Sequence, residues 1–142
     1  MLNAKQRAYL TFLGTLLAAA KLELGRVDDC LNLLDELQQF SVETHQNLFI
    51  SDVHLLRAEA LRRADARSPR IEEEYRSAVR IAQKQGALAL ELRAATGFAD
   101  WMAALSREEA ATKLLKPIFE RFTEGFDTPD LKAARAVLDR IG

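Results

Sequence analysis

Only a few residues of this 142-residue chain could bind a metal ion. The two histidines, His45 and His54, lie nine positions apart, and Asp52 is close to the second. Two histidines that share a metal ion on one helix are normally about three or four residues apart and need further ligands. We therefore predict no metal site and interpret both histidines as solvated side chains.

Cys30 and the acidic run at residues 72–74 are the other candidates for chemistry. Cys30 is the only cysteine, which excludes an intrachain disulfide and agrees with a reducing compartment. A redox thiol is one interpretation, but the pattern around Cys30 favours a small buried hydrophobe. The three glutamates suit the positive end of a helix dipole, and Glu72 can pair with Arg76 one turn later. We predict no catalytic residue and no cofactor.

The single tryptophan and the densest basic patch are candidate binding features. Trp101 lies off the apolar stripe of its predicted helix, so it either covers a neighbouring repeat or is an exposed interface anchor. Arg93, Glu91 and Asp100 would be its polar neighbours on a concave surface. The basic patch could contact an acidic partner or phosphate, although interspersed acidic residues favour a solvated ridge. The patch consists of Arg57, Arg62, Arg63, Arg67 and Arg70.

The overall composition predicts an all-α protein with a packed core. Apolar residues make up 49% of the chain, and helix-favouring residues dominate, with only 3 prolines and 6 glycines. The net charge is −1 and both signs are interspersed. Nothing in this balance favours binding to nucleic acid or to an anionic membrane.

The N-terminal segment, residues 4–24, is apolar around most of a predicted helix. Leu10 and Leu13 belong to one of its two adjoining stripes, and such a helix needs cover on more than one side. We expect the cover to be a second copy of the chain, as a homodimer, or a preceding repeat of a longer parent chain. Lys5 and Arg7 before an apolar run also resemble a signal peptide, but the unbroken helical pattern favours an ordinary helix.

Apolar periodicity and capping residues predict seven helices, of which the first six form antiparallel hairpins. A polar loop is predicted over residues 41–47, with Thr44 as a possible N-cap. Ser106 and Glu109 suggest a capping box for the sixth helix. The hairpins are predicted at residues 4–40, 48–85 and 87–123, with a capping helix at 128–141, in one helical-repeat domain of residues 1–142.

Four columns of residues recur at a spacing of about 40 across the three predicted hairpins. Their order of small and large residues is that of a tetratricopeptide-like hairpin, in which small residues allow close approach and large ones fill the groove. Arg57 departs from the pattern, because it stands where an apolar partner to Leu17 and Phe98 is expected. The columns are Ala18, Ala58 and Ala99; Cys30, Ile71 and Ala111; Leu34, Tyr75 and Leu115; and Leu37, Ala78 and Ile118.

The stretch that joins the sixth and seventh helices predicts a structural clasp. Gly125 would adopt a positive φ and close the sixth helix, and Phe126 would pack back toward Phe122. Thr128 is predicted to cap the seventh helix, with Pro129 at its first position. We expect these five residues to stabilise the fold and not to bind a ligand.

The most specific sequence feature is FTEGFDTPDL, within FTEGFDTPDLKAARAVLD near the C-terminus. Together with LRAEALRRAD, YRSAVRIAQKQGA and LELRAA, it resembles the C-terminal repeats of large bacterial signalling proteins. Those proteins join a nucleotide-cyclase or LuxR-type DNA-binding domain to a STAND-type ATPase and a tetratricopeptide-like tail. The resemblance covers residues 8–141 and implies a scaffold or sensing role. The sequence has no P-loop glycine–lysine motif, no cyclase-type carboxylate pattern and no helix-turn-helix signature.

The sequence therefore predicts a non-catalytic helical-repeat module for protein interaction or regulation in the cytoplasm. Its partner would be a protein or peptide, or other domains of a longer parent chain, and neither a nucleic acid nor a membrane. A small all-helical enzyme with an unrecognised site, or a cyclase-associated activity, is the alternative from a different class. A purely structural end cap of a larger array is a third interpretation. Convergent titratable groups in a pocket would favour the enzyme.

Overall fold

The computed structural model describes residues 1–45 and 47–142, and it confirms the all-α fold class. No strand occurs in these ranges, and the arrangement of consecutive helices as hairpins is consistent with a helical-repeat fold. The helices are α1 (Ala4–Glu23), α2 (Val27–Thr44), α3 (Ile50–Ala64), α4 (Arg70–Gln85), α5 (Leu88–Ala104), α6 (Glu108–Phe119) and α7 (Pro129–Ile141).

Several helix ends follow the local chemistry of the sequence. Asn3 begins α1 with a capping box, because its Oδ1 accepts the backbone N–H of Gln6 at 2.9 Å and the Gln6 side chain accepts the Asn3 N–H at 3.0 Å. Gly25 follows α1 with a φ of 76°, and Gly86 follows α4 with a φ of 66°. Both glycines take the left-handed conformation that ends a helix at little steric cost.

Two predicted features of the helix ends are wrong. The prediction of a loop beginning at Ser41 fails because α2 continues to Thr44, whose hydroxyl donates to the Phe40 carbonyl at 2.6 Å and caps no following helix. Ser41 is buried, and its hydroxyl is 2.9 Å from Asn47 Oδ1. The Ser106 capping box is absent, since Ser106 has a φ of 59° and α6 begins after Arg107 without a side-chain cap.

The chain forms two compact units, residues 1–78 and residues 79–142, with the boundary inside α4. In the first unit α1, α2 and α3 pack against one another, and in the second α5, α6 and α7 do so. The prediction of one domain over residues 1–142 stays a prediction. The core cluster of the first unit consists of Ala18, Leu22, Cys30, Leu34, Leu37, Val53 and Ala60.

The four repeat columns coincide with the buried interior. All twelve column residues are buried, and none is more than 8% exposed. Tyr75 is the largest of them, and its hydroxyl accepts from Arg62 Nη1 at 3.2 Å, so burial leaves that polar atom satisfied. The column pattern therefore identified core positions in every predicted hairpin.

Candidate interaction surface

Except for Leu22, which is buried in its last turn, helix α1 turns small residues toward the core and its large apolar residues toward solvent. Thr11, Thr15 and Ala18 are buried, and the threonine hydroxyls donate to carbonyls one turn earlier at 3.0 and 2.7 Å. These hydrogen bonds satisfy the hydroxyls within the helix. We define the α1 outer face as the exposed apolar residues on the opposite side. They are Leu2, Tyr9, Leu10, Leu13, Leu16, Leu17 and Leu24.

Close packing of α2 explains why the inner side of α1 carries small residues. A Cβ added at Gly14 would lie 2.3 Å from Leu37 Cδ2, well inside van der Waals contact. Ala18 is fully buried in the same core. Since large side chains do not fit there, the central leucines of α1 lie outside, whereas Leu22 in the last turn of α1 is buried in the core cluster.

An open groove extends the α1 outer face on one side. Tyr9 and Phe12 line it from α1, and Leu48 and Phe49 line it from the segment before α3. The Phe12 and Phe49 ring centroids are 5.4 Å apart with a tilt of 44°. This contact adds aromatic surface beside the exposed leucines.

The equivalent face of α3 is covered. Val53 and Arg57 take the repeat positions of Leu13 and Leu17, and both are buried. Val53 belongs to the core cluster that includes residues of α2, and Arg57 pairs with Asp35 of α2. Arg57 was predicted on an exposed interaction surface, but only 3% of it is exposed. Its Nη2 is 3.1 Å from Asp35 Oδ1, whereas its Nε has no hydrogen-bond partner among the described residues.

Arg57 belongs to a polar cluster with His54 and Glu74. Glu74 Oε2 lies 2.6 Å from His54 Nδ1 and 3.5 Å from Arg57 Nη1, and Arg70 is 3.8 Å from Oε1. The interpretation of His54 as a solvated side chain is therefore wrong. Its one-turn spacing from Arg57 is unremarkable in the sequence, and the only signal was an arginine in an apolar column.

The electrostatics of this cluster favour an ion pair over acid–base chemistry. Burial opposes ionisation of Glu74, but the hydrogen bond from His54 and the charge of Arg57 outweigh it, so the pKa of the Glu74 carboxyl lies below its usual value. A general acid needs a raised pKa at neutral pH, which is the opposite shift. The cluster therefore acts as a buried ion-pair network.

Cys30 and the acidic residues are the remaining candidates for chemistry. Cys30 is fully buried, and burial raises the pKa of its thiol although Arg63 and Lys21 oppose the shift. A buried thiol with a raised pKa is a poor nucleophile. In residues 1–45 and 47–142, no three side chains of His, Cys, Asp or Glu are placed to hold a metal ion. No helix in the same ranges has the length and apolar character needed to cross a membrane.

In the second unit Trp101 packs beside an aromatic ring and a guanidinium, and its predicted polar neighbours form ion pairs. The half-buried indole is 6.1 Å from the Phe98 ring, and its charged neighbour is the Arg107 guanidinium at 5.8 Å from the ring centre. Arg93 pairs with Asp130 of α7 at 3.1 Å. Glu91 is buried and accepts from Arg121 at 3.2 Å. Arg93 and Glu91 therefore form ion pairs within the second unit, and the prediction that they surround Trp101 on a concave surface stays a prediction.

The predicted clasp is present only in part. Gly125 has a φ of 77° and Pro129 is the first residue of α7, as predicted. However, α6 ends at Phe119, so Phe122 lies beyond the helix that Gly125 was expected to close. Phe126 is 46% exposed, with its ring 6.0 Å from that of Phe119. Thr128 makes no side-chain cap, because its hydroxyl donates to the Gly125 carbonyl at 2.7 Å.

Comparison with known proteins adds no relative. No protein-family model, curated protein or solved structure matches the chain. The family resemblance of FTEGFDTPDL therefore stays a prediction. Among the described residues, the α1 outer face is a broad exposed apolar surface.

Proposed function

We propose that this chain is a non-catalytic helical-repeat module that binds a protein partner through the α1 outer face. The observation that carries the proposal is the reversed orientation of α1. A surface helix normally turns its larger apolar side chains to the core. Here Thr11, Thr15 and Ala18 are buried while Leu13 and Leu16 are exposed, which leaves the apolar face for another molecule.

The covered face of α3 indicates what kind of partner fits. Val53 has the repeat position of Leu13, and it is buried in the cluster to which α2 contributes Leu34 and Leu37. A helix with an apolar stripe therefore fills this position one repeat later. By the same geometry, the partner of the α1 outer face is an apolar helix of a protein, either a separate chain or another part of a longer parent chain.

Charge and the family resemblance support the regulatory side of the proposal. The net charge of −1 gives no electrostatic attraction to nucleic acid or anionic membrane. The segment FTEGFDTPDL resembles the helical tails of bacterial signalling proteins, which implies a cytoplasmic scaffold or sensing role. The enzyme alternative has less support, because the titratable groups that converge, Arg57, His54 and Glu74, are occupied with one another.

Matched variants test the proposal. Leu13→Asp places a charge at the centre of the α1 outer face, and Leu105→Asp places one on a leucine of similar exposure, 50% against 41%, at the end of α5. Each purified chain is immobilised and exposed to bacterial cell extract. A retained protein is then purified and titrated against each chain by calorimetry.

We expect saturable binding to wild type and to Leu105→Asp. Leu13→Asp should weaken it by at least about tenfold, because burying an uncompensated carboxylate costs more than ~1.4 kcal/mol. Circular dichroism checks that each variant is folded. The proposal is wrong if every retained protein binds Leu13→Asp as tightly as wild type.

A further inference from the structure

The α1 outer face has a symmetric pattern of apolar residues. Each of its residues before Leu13 has a counterpart at the same distance after Leu13. At about 3.6 residues per turn, those within α1 fall within roughly 60° of Leu13 around the helix, whereas Leu2 and Leu24 lie just outside its two ends. Such a pattern is the same in both chain directions. The pairs are Leu10 and Leu16, Tyr9 and Leu17, and Leu2 and Leu24, at three, four and eleven positions from Leu13.

We propose that the partner at the α1 outer face is a second copy of this chain, with the two α1 helices antiparallel about a two-fold axis at Leu13. This inference rests on the proposed docking function and names its partner. A two-fold homodimer needs one self-complementary patch, which a symmetric face provides. In this arrangement Leu13 packs on Leu13 of the second copy, and Leu10 packs on Leu17 of the second copy.

The charges beside the face complement one another in the antiparallel orientation. Lys5 and Glu23 lie near opposite ends of α1 and on the same flank of the outer face, roughly 80° from Leu13. Antiparallel helices bring equal flanks together, so Lys5 lies opposite Glu23 of the second copy, and the pair occurs twice. Residues 1–22 contain no acidic residue, so the acidic end of a second α1 reaches Lys5 only when the helices are antiparallel.

Glu23 is available for this pairing. Its side chain is 81% exposed, and its contact within the chain is a long one, with Arg63 Nη2 at 3.9 Å. Exposed pairs of this kind contribute little energy individually. Their role is to set the orientation of the helices, while the leucines supply the affinity.

The exposed area is sufficient for a stable dimer. The outer-face residues have exposed fractions of 39% to 75%, and Phe12 beside them is 39% exposed. Together they present on the order of 800 Å² on each copy, which is what each partner contributes to a standard-sized interface. The face is therefore large enough for a specific pair of copies.

Cysteine crosslinking tests the geometry directly. Leu10→Cys and Leu17→Cys chains are mixed and oxidised, and disulfide-linked peptides are identified by mass spectrometry. Antiparallel pairing predicts a mixed disulfide between the two variants and little crosslinking of either variant alone. Along the axis the two copies of position 10 are then about six residues, or ~9 Å, apart, and the two copies of position 17 about eight residues, or ~12 Å. The natural Cys30 is fully buried and does not compete. Crosslinking of each variant with itself, without the mixed product, would overturn the antiparallel arrangement.

Light scattering tests the association itself. We expect a dimer for wild type and for Leu105→Asp, and at least a tenfold weaker dimer for Leu13→Asp. Lys5→Glu should weaken the dimer, and the double variant Lys5→Glu with Glu23→Lys should restore it. A wild-type chain that stays monomeric over a wide concentration range would contradict the proposed homodimer. If the wild-type chain is monomeric but Leu13→Asp abolishes binding of another protein, the docking function stands with a different partner. If Leu13→Asp leaves that binding unchanged, both proposals fail.

Discussion

The outer face of α1 and the equivalent face of α3 have the same place in the repeat but opposite surroundings. Leu13 is exposed to solvent, while Val53 at the matching position is fully buried in the core cluster to which α2 contributes. Both helices also carry a small core residue at another matched position, Ala18 in α1 and Ala58 in α3. The comparison shows that a repeat position specifies a surface for helix packing, and that burial depends on whether a helix occupies that surface.

A second difference concerns charge. Leu17 of α1 is matched by Arg57 of α3, whose guanidinium pairs with Asp35 of α2 and Glu74 of α4. A buried charge needs such partners, because removing one of them leaves the other uncompensated. Helix α2 therefore contacts α3 through a charged pair at Asp35 as well as through apolar residues. The centre of the α1 outer face offers apolar contact only.

The largest expected effect separates the two faces by stability. Val53→Asp should lower the free energy of unfolding by about 4 kcal/mol or more, because it buries an unpaired carboxylate. Leu13→Asp should change it by less than about 0.5 kcal/mol in the monomer, as exposed substitutions usually do. Urea unfolding followed by circular dichroism measures both, at low concentration so that association does not contribute. Equal losses for the two variants would break the comparison.

The next effect concerns the charge in the covered face. Glu74→Gln should cost about 3 kcal/mol, at the lower end for a broken buried pair, because Arg57 keeps the largely exposed Asp35 as a partner. Arg57→Leu, which introduces the residue type found at Leu17, should cost less, since Glu74 keeps His54.

The double variant Arg57→Leu with Glu74→Gln completes a thermodynamic cycle. It should be more stable than the sum of the single losses predicts, by about 1 kcal/mol or more. The cycle is read from the midpoints of urea unfolding, provided that the slopes agree. Additive losses would mean that the two side chains do not interact across the helices.

The sequence predicted the positions that periodicity determines. Every repeat column proved to be buried, since a helix of fixed pitch brings those residues to one face. The polar character of Ser41 predicts a loop, because the sequence does not show that its buried hydroxyl donates a hydrogen bond to Asn47 Oδ1. His54 and Glu74 are 20 residues apart in sequence and lie on consecutive helices, so their pairing was not predicted. The only indication of a buried acid was the arginine at position 57 in an apolar column.

The clasp shows how a local prediction depends on a boundary. The positive φ of Gly125 was predicted because a glycine between two helices can take the left-handed conformation. The environment of Phe126 depends on where α6 ends, and that point lies at Phe119, with Pro117 inside the last turn. Because α6 ends six residues before Gly125, the Phe126 ring lies beside Phe119 but remains partly exposed to solvent.

Acid should weaken the covered face in a defined direction. The pKa of Glu74 is lower in the folded protein than in the unfolded chain, so its contribution is fully present above the unfolded value of about 4.3. That contribution is lost as the pH falls through the folded pKa. Below about pH 4.3 the stability of wild type should therefore approach that of Glu74→Gln.

Urea unfolding at a series of pH values measures the difference in stability between wild type and Glu74→Gln. Glu109→Gln, which removes one partner of an exposed ion pair, is the control. A difference that does not narrow toward low pH would contradict the ion-pair assignment.

The smallest effect extends the comparison to the second unit. Phe126 and Leu131 both flank Gly125, but Phe126 is about half exposed whereas Leu131 is buried. If burial of the side chain determines the loss of stability, Phe126→Ala should lower the free energy of unfolding by only about 1 kcal/mol. A fully buried ring would lose ~3 kcal/mol. Leu131→Ala is the matched control and should lose about 3 kcal/mol. Both are measured by thermal and urea unfolding, with Trp101 fluorescence as the reporter in the same unit. A loss for Phe126→Ala as large as that for Leu131→Ala would show that the ring is packed in solution, and the clasp would then be the structural element that its sequence predicted.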